Sequence, residues 1–263
     1  MPTRFALAKL DVITSDGSQL TFYFDGNGKI TRENGSFDCP VPNAFSLVQV
    51  QDCPFATPTC KSVCYVHKLE KAEEKVYAAY RHNSVAIRRV LENDVWFRDS
   101  VSGFSNWIQQ HCPLGFRWHV SGDIISEKHA LFIGEVCRKT SLVPFWIYTR
   151  SFACLGPLLH SRPENLIINL SADKDNYHQA LLLHKNFGLR ICYLTVDGEV
   201  PDNLPDDSVI FPSYELRGRD MSKPKNAPWW QSLNQRQRKM VCPPDFFGQS
   251  EKLRCGPCKK CLI

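Results

Sequence analysis

Residues 116–196 read FRWHVSGDIISEKHALFIGEVCRKTSLVPFWIYTRSFACLGPLLHSRPENLIINLSADKDNYHQALLLHKNFGLRICYLTV, and their rhythm decides the fold. Four runs rich in aromatic and β-branched residues, FRWHVSGD (116–123), PFWIYTRS (144–151), NLIINLSAD (165–173) and LRICYLTV (189–196), alternate with segments of helical spacing. The runs recur every roughly 20 to 30 residues, which predicts βα units and a parallel sheet. SVIFPSY (208–214) predicts one more strand. In barrels and open parallel sheets, ligands bind beyond the carboxyl ends of the strands. The runs end in Ser121-Gly122-Asp123, Thr149-Arg150-Ser151 and Ser171-Ala172-Asp173, with Thr195-Val196-Asp197 closing the last. These ends are expected to converge on one mouth; the plainer alternative is that their small polar residues cap the following helices.

Ahead of this rhythm, RFALAKLDVITSDGSQLTFYFDGNGKIT (4–31) alternates around DG and GNG and predicts a small antiparallel β meander within residues 1–38. A Pro-rich connector, CPVPNAF (39–45), leads into SLVQV (46–50), a short predicted strand. KLEKAEEKVYAAYRHNSVAIRRVLEN (68–93) has helical spacing, and DVWFRDSVSGFSNWIQQH (94–111) predicts a helix broken near Ser102 and Gly103. The expected fold class is α/β, a partial parallel (βα) barrel of TIM-like type, with the catalytic body at 39–215. A basic, aromatic segment and a Cys-rich metal-binding tail fill 216–263.

With 43% hydrophobic and 22% charged residues over 263 positions, the chain is globular in composition. No stretch approaches the roughly 20 apolar residues of a membrane helix, and MPTRFALAKLD lacks a signal-peptide core, so no membrane role and a cytoplasmic location are expected. Twelve cysteines in such a chain read as metal ligands or catalysts rather than a disulfide framework. The net charge of +5 is compatible with a nucleic-acid partner without requiring one. The segment YELRGRDMSKPKNAPWWQSLNQRQRKMVCPP (214–244) interleaves basic residues with Trp229 and Trp230, a composition that can neutralise phosphates and stack bases; buried tryptophans under a solvated loop would read the same. Arg88, Arg89 and Arg98 read as an exposed helix face. The oligomeric state is not legible.

Two cysteine groups stand out. DCPFATPTCKSVCY presents Cys53, Cys60 and Cys64, with six and then three residues intervening. Three thiolates leave an open position on a metal centre, and Pro54 and Pro58 stiffen the loop. His67 is a possible fourth ligand, in which case a closed zinc site is the alternative. The tail carries Cys242, Cys255, Cys258 and Cys261, enough to close a site around a second iron–sulfur cluster or a zinc ion. Cys39, Cys112, Cys137, Cys154 and Cys192 read as core thiols.

The run CPFATPTCKSVCY, the strand ends HVSGD and YTRS, and the tail CPPDF with CGPCKKC resemble the phage gene-product-88-type family over roughly residues 39–263. That resemblance implies a radical S-adenosylmethionine-like barrel. It implies a 4Fe–4S cluster on Cys53, Cys60 and Cys64 with S-adenosylmethionine at its free iron, an electron donor, and a substrate at the barrel mouth; the basic, aromatic segment at 214–244 makes a nucleobase or nucleic acid the candidate substrate. The six-and-three spacing departs from the three-and-two spacing of that enzyme class, and Ser121, Gly122 and Asp123 stand where its Gly-Gly-Glu-Pro strand end would be. Ser121, Gly122, Thr149 and Ser171 are the candidate cofactor-binding residues, Asp123 and Asp173 the candidate catalytic ones.

Two other readings stay open. A pair of strand-end aspartates with structural zinc outlines a transglycosylase barrel that exchanges guanine for a deazaguanine in DNA or tRNA, with one carboxylate as nucleophile and the other as acid. A zinc-stabilised nucleic-acid-binding protein without chemistry is the other, and it predicts salt-dependent binding without turnover.

Overall fold

The computed structural model describes residues 7–26, 42–64, 66–67, 74–213, 216, 227–243 and 260–261. Its centre is one eight-stranded sheet whose spatial order follows the chain, β1-β2-β3-β4-β5-β6-β7-β8. The strands are β1 (Ala8–Ile13), β2 (Gln19–Asp25), β3 (Ala44–Phe45), β4 (Phe116–Trp118), β5 (Phe145–Thr149), β6 (Leu166–Ala172), β7 (Arg190–Thr195) and β8 (Val209–Pro212). β1 pairs antiparallel with β2, and β2 antiparallel with β3; every later pair is parallel. The N-terminal hairpin is therefore the antiparallel edge of the main sheet rather than a separate cap.

A sheet wound always in one direction with right-handed crossovers puts its helices on one face. Helices α1 (Pro58–Ser62), α2 (Glu74–Glu92) and α3 (Asp94–His111) fall between β3 and β4, and α4 (Glu127–Lys139) between β4 and β5. A 3-10 turn (Phe152–Cys154) and α5 (Gly156–His160) precede β6, α6 (Tyr177–Phe187) precedes β7, and α7 (Pro228–Ser232) and α8 (Gln235–Met240) follow β8. The main core takes alternate strand residues: Phe145 and Ile147 of β5, Leu166, Ile168 and Leu170 of β6, Ile191 and Tyr193 of β7. Period-two alternation sends Trp146, Tyr148, Asn169, Ser171 and Cys192 to the other face. That face is polar for a sheet interior.

Among the described residues the sheet is open. β1 pairs only with β2, and β8 pairs with β7 apart from an isolated bridge, Ile210 with Val241. The α/β class and the parallel run are as expected; the partial barrel is not confirmed, the described strands forming an open sheet.

Two local expectations need correction. SLVQV does not continue as a strand: β3 stops at Phe45, and Val50 takes a positive φ of 61° as the chain turns. Nor does α3 break at Ser102 and Gly103; it runs unbroken from Asp94 to His111. Asn93 starts it, its side chain accepting from Val95 N and Trp96 N at 2.9 and 3.1 Å. Gly103 is there for proximity, since a Cβ would stand 2.6 Å from Val12 Cγ2 of β1.

Candidate metal centre at the strand mouth

Beyond β3 the chain folds back over the ends of its neighbours, and the turn is built around Asp52. That carboxylate is fully buried, accepts Val48 N at 3.1 Å, receives the Ser84 hydroxyl and is ion-paired with Arg88. Arg88 lies on an exposed helix face, as expected, and from there its guanidinium neutralises the buried carboxylate at the root of the cysteine loop; α2 supplies both Ser84 and Arg88. Asp52 O in turn accepts Asp123 N at 2.8 Å, joining the loop to the end of β4. Leu47 N donates to Ser121 O at 2.9 Å alongside.

The loop then crosses to β6. Thr57 caps α1 with its Oγ1, accepting Cys60 N at 3.0 Å, and donates the same hydroxyl to Asp173 Oδ2 at 2.5 Å. Thr59 N donates to Asp175 Oδ2 at 2.9 Å. Arg150, at the end of β5, ties two strand ends together: its backbone N donates to Asp123 Oδ2 at 2.7 Å, and its guanidinium reaches Asp173 Oδ2 at 3.3 Å. The short helix carrying Cys60 is therefore pinned across the carboxyl ends of β4, β5 and β6 by charge-assisted hydrogen bonds, of which the Thr57–Asp173 bond is buried.

The strand-end residues do meet, and they are not helix caps. α4 is capped by Ser126, whose Oγ accepts His129 N at 3.1 Å. Before α6, Asn176 bonds back to Asp173 N and Ser171 O at 2.8 and 3.1 Å. Thr149 is buried and bonded to Asp123, and its Oγ1 accepts Ser151 N at 2.9 Å. Thr195 and Asp197 bond to each other at 3.3 Å and stay out of this network. Gly122 holds a φ of +77°, and a Cβ there would fall 2.5 Å from Leu47 Cβ and 3.1 Å from Leu47 Cα. It is a packing glycine where β4 passes the turn after β3. Ser121 Oγ and Ser151 Oγ are buried without a hydrogen-bond partner, the state of groups that a bound polar molecule would satisfy.

Burial dominates the electrostatics. It pushes the Cys53 thiol up to about 12, helped by the charge of Asp123 and by Cys60 and Cys64. Burial also raises Cys60, against the opposing pull of Arg150. Asp123 is raised by burial despite its hydrogen bonds from Thr149 and the Arg150 backbone. The three thiols, Asp123, Asp173 and Arg150 thus share one electrostatic neighbourhood. His67 does not join it; its imidazole is exposed, with Nδ1 paired to Gln49 Nε2 at 3.1 Å. Among the described residues, no group of three or more Cys, His, Asp or Glu side chains stands ready-arranged around a metal position. Binding would have to draw the thiols together. The donor set fits a soft metal or an iron–sulfur cluster, since three thiols of one half-buried loop share a site with a guanidinium that offsets their charge.

Residues 19–262 match the family model described as gene product 88. The chain belongs to the gene product 88 family. It is 31% identical over 172 residues to the Gene 88 protein of Mycobacterium phage L5, a span covering 62% of this chain and 70% of the phage protein. The Gene 88 protein of Mycobacterium phage D29 is likewise 31% identical over 172 residues, covering 62% and 69%. No solved structure matches the chain. The family region begins at residue 19 rather than near 39, so it takes in β2, in keeping with the continuity of that strand with the sheet. These names carry a family with phage relatives and no chemistry.

Elsewhere, the remaining expected residues fall as follows. Cys242 and Cys261 are buried, while Cys255, Cys258 and Cys39 lie outside the described residues. Cys112, Cys137, Cys154 and Cys192 are buried thiols as expected, Cys192 in a second, smaller cluster with Val209, Cys242 and Cys261. Most of 214–226 lies outside the described residues. Trp229 is buried, donating Nε1 to Leu216 O at 2.9 Å, and Arg238 lies over the Trp230 ring at 5.9 Å while bonding Trp230 O. Arg236 is paired with Asp206. These side chains brace the body. No helix among the described residues is long and apolar enough to cross a membrane.

The cysteines, the strand-end aspartates and Arg150 were legible in the sequence as converging groups; Asp52, Thr57 and Ser84, and the pairing of Arg88 with Asp52, were not. The available signal was Thr57-Pro58, a cap residue followed by proline, which marks a helix start inside the loop.

Proposed function

We propose that this protein is a metalloenzyme of radical S-adenosylmethionine-like type, with its centre on Cys53, Cys60 and Cys64. The observation that carries the reading is the attachment of the cysteine loop to the mouth of the sheet through Thr57–Asp173, Thr59–Asp175 and Asp52–Asp123. A structural zinc loop could sit anywhere on the surface; this one is anchored where parallel sheets bind ligands. Bound there, a 4Fe–4S cluster supplies one-electron chemistry and, with three protein thiolates, an open position for the amino and carboxylate groups of S-adenosylmethionine. The chain's own part is to hold the thiols, offset their charge through Arg150, and offer the Ser121 and Ser151 hydroxyls to the cofactor. In this reading Asp123 and Asp173 position the loop. That also disfavours base exchange, which needs one carboxylate free as nucleophile, whereas both are engaged through Arg150.

A nucleobase or nucleic acid as substrate belongs to the proposal through the net charge of +5 and the basic segment at 214–239. The test is anaerobic incubation of the iron-loaded protein with S-adenosylmethionine and dithionite, followed by chromatography for 5'-deoxyadenosine. Wild type should form it and Cys60→Ala should not. Equal yields from the two proteins, or none from an iron-loaded wild type, would overturn the proposal.

A further inference from the structure

The segment that carries Ser121, Gly122 and Asp123 leaves β4 and enters α4, and a histidine stands at each end of it. His119 and His129 are 2% and 0% exposed, and their rings lie 5.2 Å apart at 51°. Each is committed through Nδ1 to the backbone at its own end. His119 Nδ1 meets Phe45 O at 3.0 Å and holds the end of β4 to β3. Ile125 N donates to His129 Nδ1 at 3.3 Å and holds the approach to α4. Both rings leave Nε2 buried without a hydrogen-bond partner.

The backbone partners fix where the protons are. A carbonyl oxygen only accepts, so His119 carries its proton on Nδ1; an amide N–H only donates, so Nδ1 of His129 is bare. Burial keeps both imidazoles neutral, and the charges of His119 and Arg88 lower His129 further. A neutral imidazole has one N–H, which on His129 must then sit on Nε2. The two orphan atoms are therefore opposite in kind, an acceptor on His119 and a donor on His129, on adjacent rings. A buried donor and a buried acceptor each carry a desolvation penalty until they are met, and joining them removes both.

We propose that His129 donates Nε2–H to His119 Nε2, directly or across one enclosed water, and that this clasp positions the strand-end segment between them. Within that segment Asp123 N donates to Asp52 O, and Asp123 Oδ2 accepts Arg150 N. The clasp thus sets how firmly the end of β4 meets the cysteine loop and β5. His119 and His129 are positioning residues, acting through Asp123, and the clasp forms whether or not a metal is bound at Cys53, Cys60 and Cys64.

The full chain, labelled with nitrogen-15 at histidine and read by NMR at pH 7, should show His119 protonated on Nδ1 and His129 on Nε2, each ring identified by its contacts with Phe45 or Ile125. The opposite tautomer at either residue, or a charged imidazole, would overturn the proposal. Asparagine at either position keeps an atom in the place of Nδ1 and deletes Nε2. His119→Asn and His129→Asn should each speed amide hydrogen exchange at Asp123 and Arg150 by about fivefold, the equivalent of one lost hydrogen bond. The double variant should add little to either, because both delete the same bond. Gly103→Ala, which disturbs α3 against β1, is the control and should leave those two amides as they are relative to the rest of the chain. Unchanged exchange at Asp123 and Arg150 in both single variants, or effects that add in full in the double variant, would contradict the clasp. Should the variants fail to fold, the wild-type tautomers decide alone.

Discussion

The Asp173 carboxylate receives the Thr57 hydroxyl, the Arg150 guanidinium and the Asp175 amide, and with no exposed side-chain surface it has no water to replace any of them. Thr57→Val keeps the shape and deletes one donor. A hydrogen bond to a charged group contributes about 1.5–3 kcal/mol, and the cap on Cys60 N is lost with it, at about 1 kcal/mol. Urea unfolding should show a destabilisation of about 2–4 kcal/mol, with earlier proteolysis between residues 53 and 64; unchanged stability would mean the loop is held by other means. Acid response belongs to different residues. His119 is buried, donates Nδ1–H to Phe45 O at 3.0 Å, and has its pKa lowered by burial from 6.5 to about 4. Its contribution is present above pH 6.5 and lost as pH falls through about 4, because the unfolded chain takes up a proton that the folded one refuses. Asp25, raised by burial from 3.8 to about 6, works the other way: its contribution is present below pH 3.8 and lost as pH rises through about 6. The two mask each other in the wild type. Between pH 7 and 4, wild type should lose about 3 kcal/mol relative to His119→Gln, read from paired urea titrations. A pH-independent difference would contradict the burial of a neutral imidazole.

Among the elements, α3 lies so close to β1 that only hydrogen fits at Gly103. Alanine favours a helix over glycine by about 1 kcal/mol, yet overpacking against Val12 costs about 1–3 kcal/mol. Gly103→Ala should therefore lower the melting temperature, and Val12→Ala added to it should restore much of the loss; a stabilised single variant would show the contact to be slack. The same residue shows why sequence reading put a break there. Glycine in a helix carries no local mark that separates a break from a close approach, because the reason lies on a strand some 90 positions away. The β5, β6 and β7 strands were legible because burial on both faces leaves long runs such as FWIYT and RICYLT. The two-residue β3 was not, since its identity comes from pairing with β2 and β4. Cysteine spacing revealed the candidate ligands. It could not reveal that Arg150 and Arg88 pair with Asp173 and Asp52, contacts that arise when distant chain segments meet, or that Cys192 faces away from the main core.

For the molecule as a whole, the sequential winding gives one face to the helices and leaves the other to polar groups and thiols. The cysteine loop closes over the strand ends, and Cys242 and Cys261 lie against the sheet. Because burial raises Cys53 to about 12 and raises Cys60 as well, the metal-free protein keeps these thiols protonated near neutrality, and metal binding must release their protons. Apparent affinity at the first loop should rise with pH by about one decade per pH unit for each thiol deprotonated, measured by chelator competition between pH 6 and 8. A flat profile would mean that the metal is bound elsewhere. The most direct measurement is the iron content and visible spectrum of the anaerobically purified protein beside Cys60→Ala. A brown wild type that is bleached by dithionite, with a Cys60→Ala protein that has lost one cluster's iron, is the predicted result. A colourless wild type holding only zinc, or a Cys60→Ala protein with iron and spectrum unchanged, would contradict it.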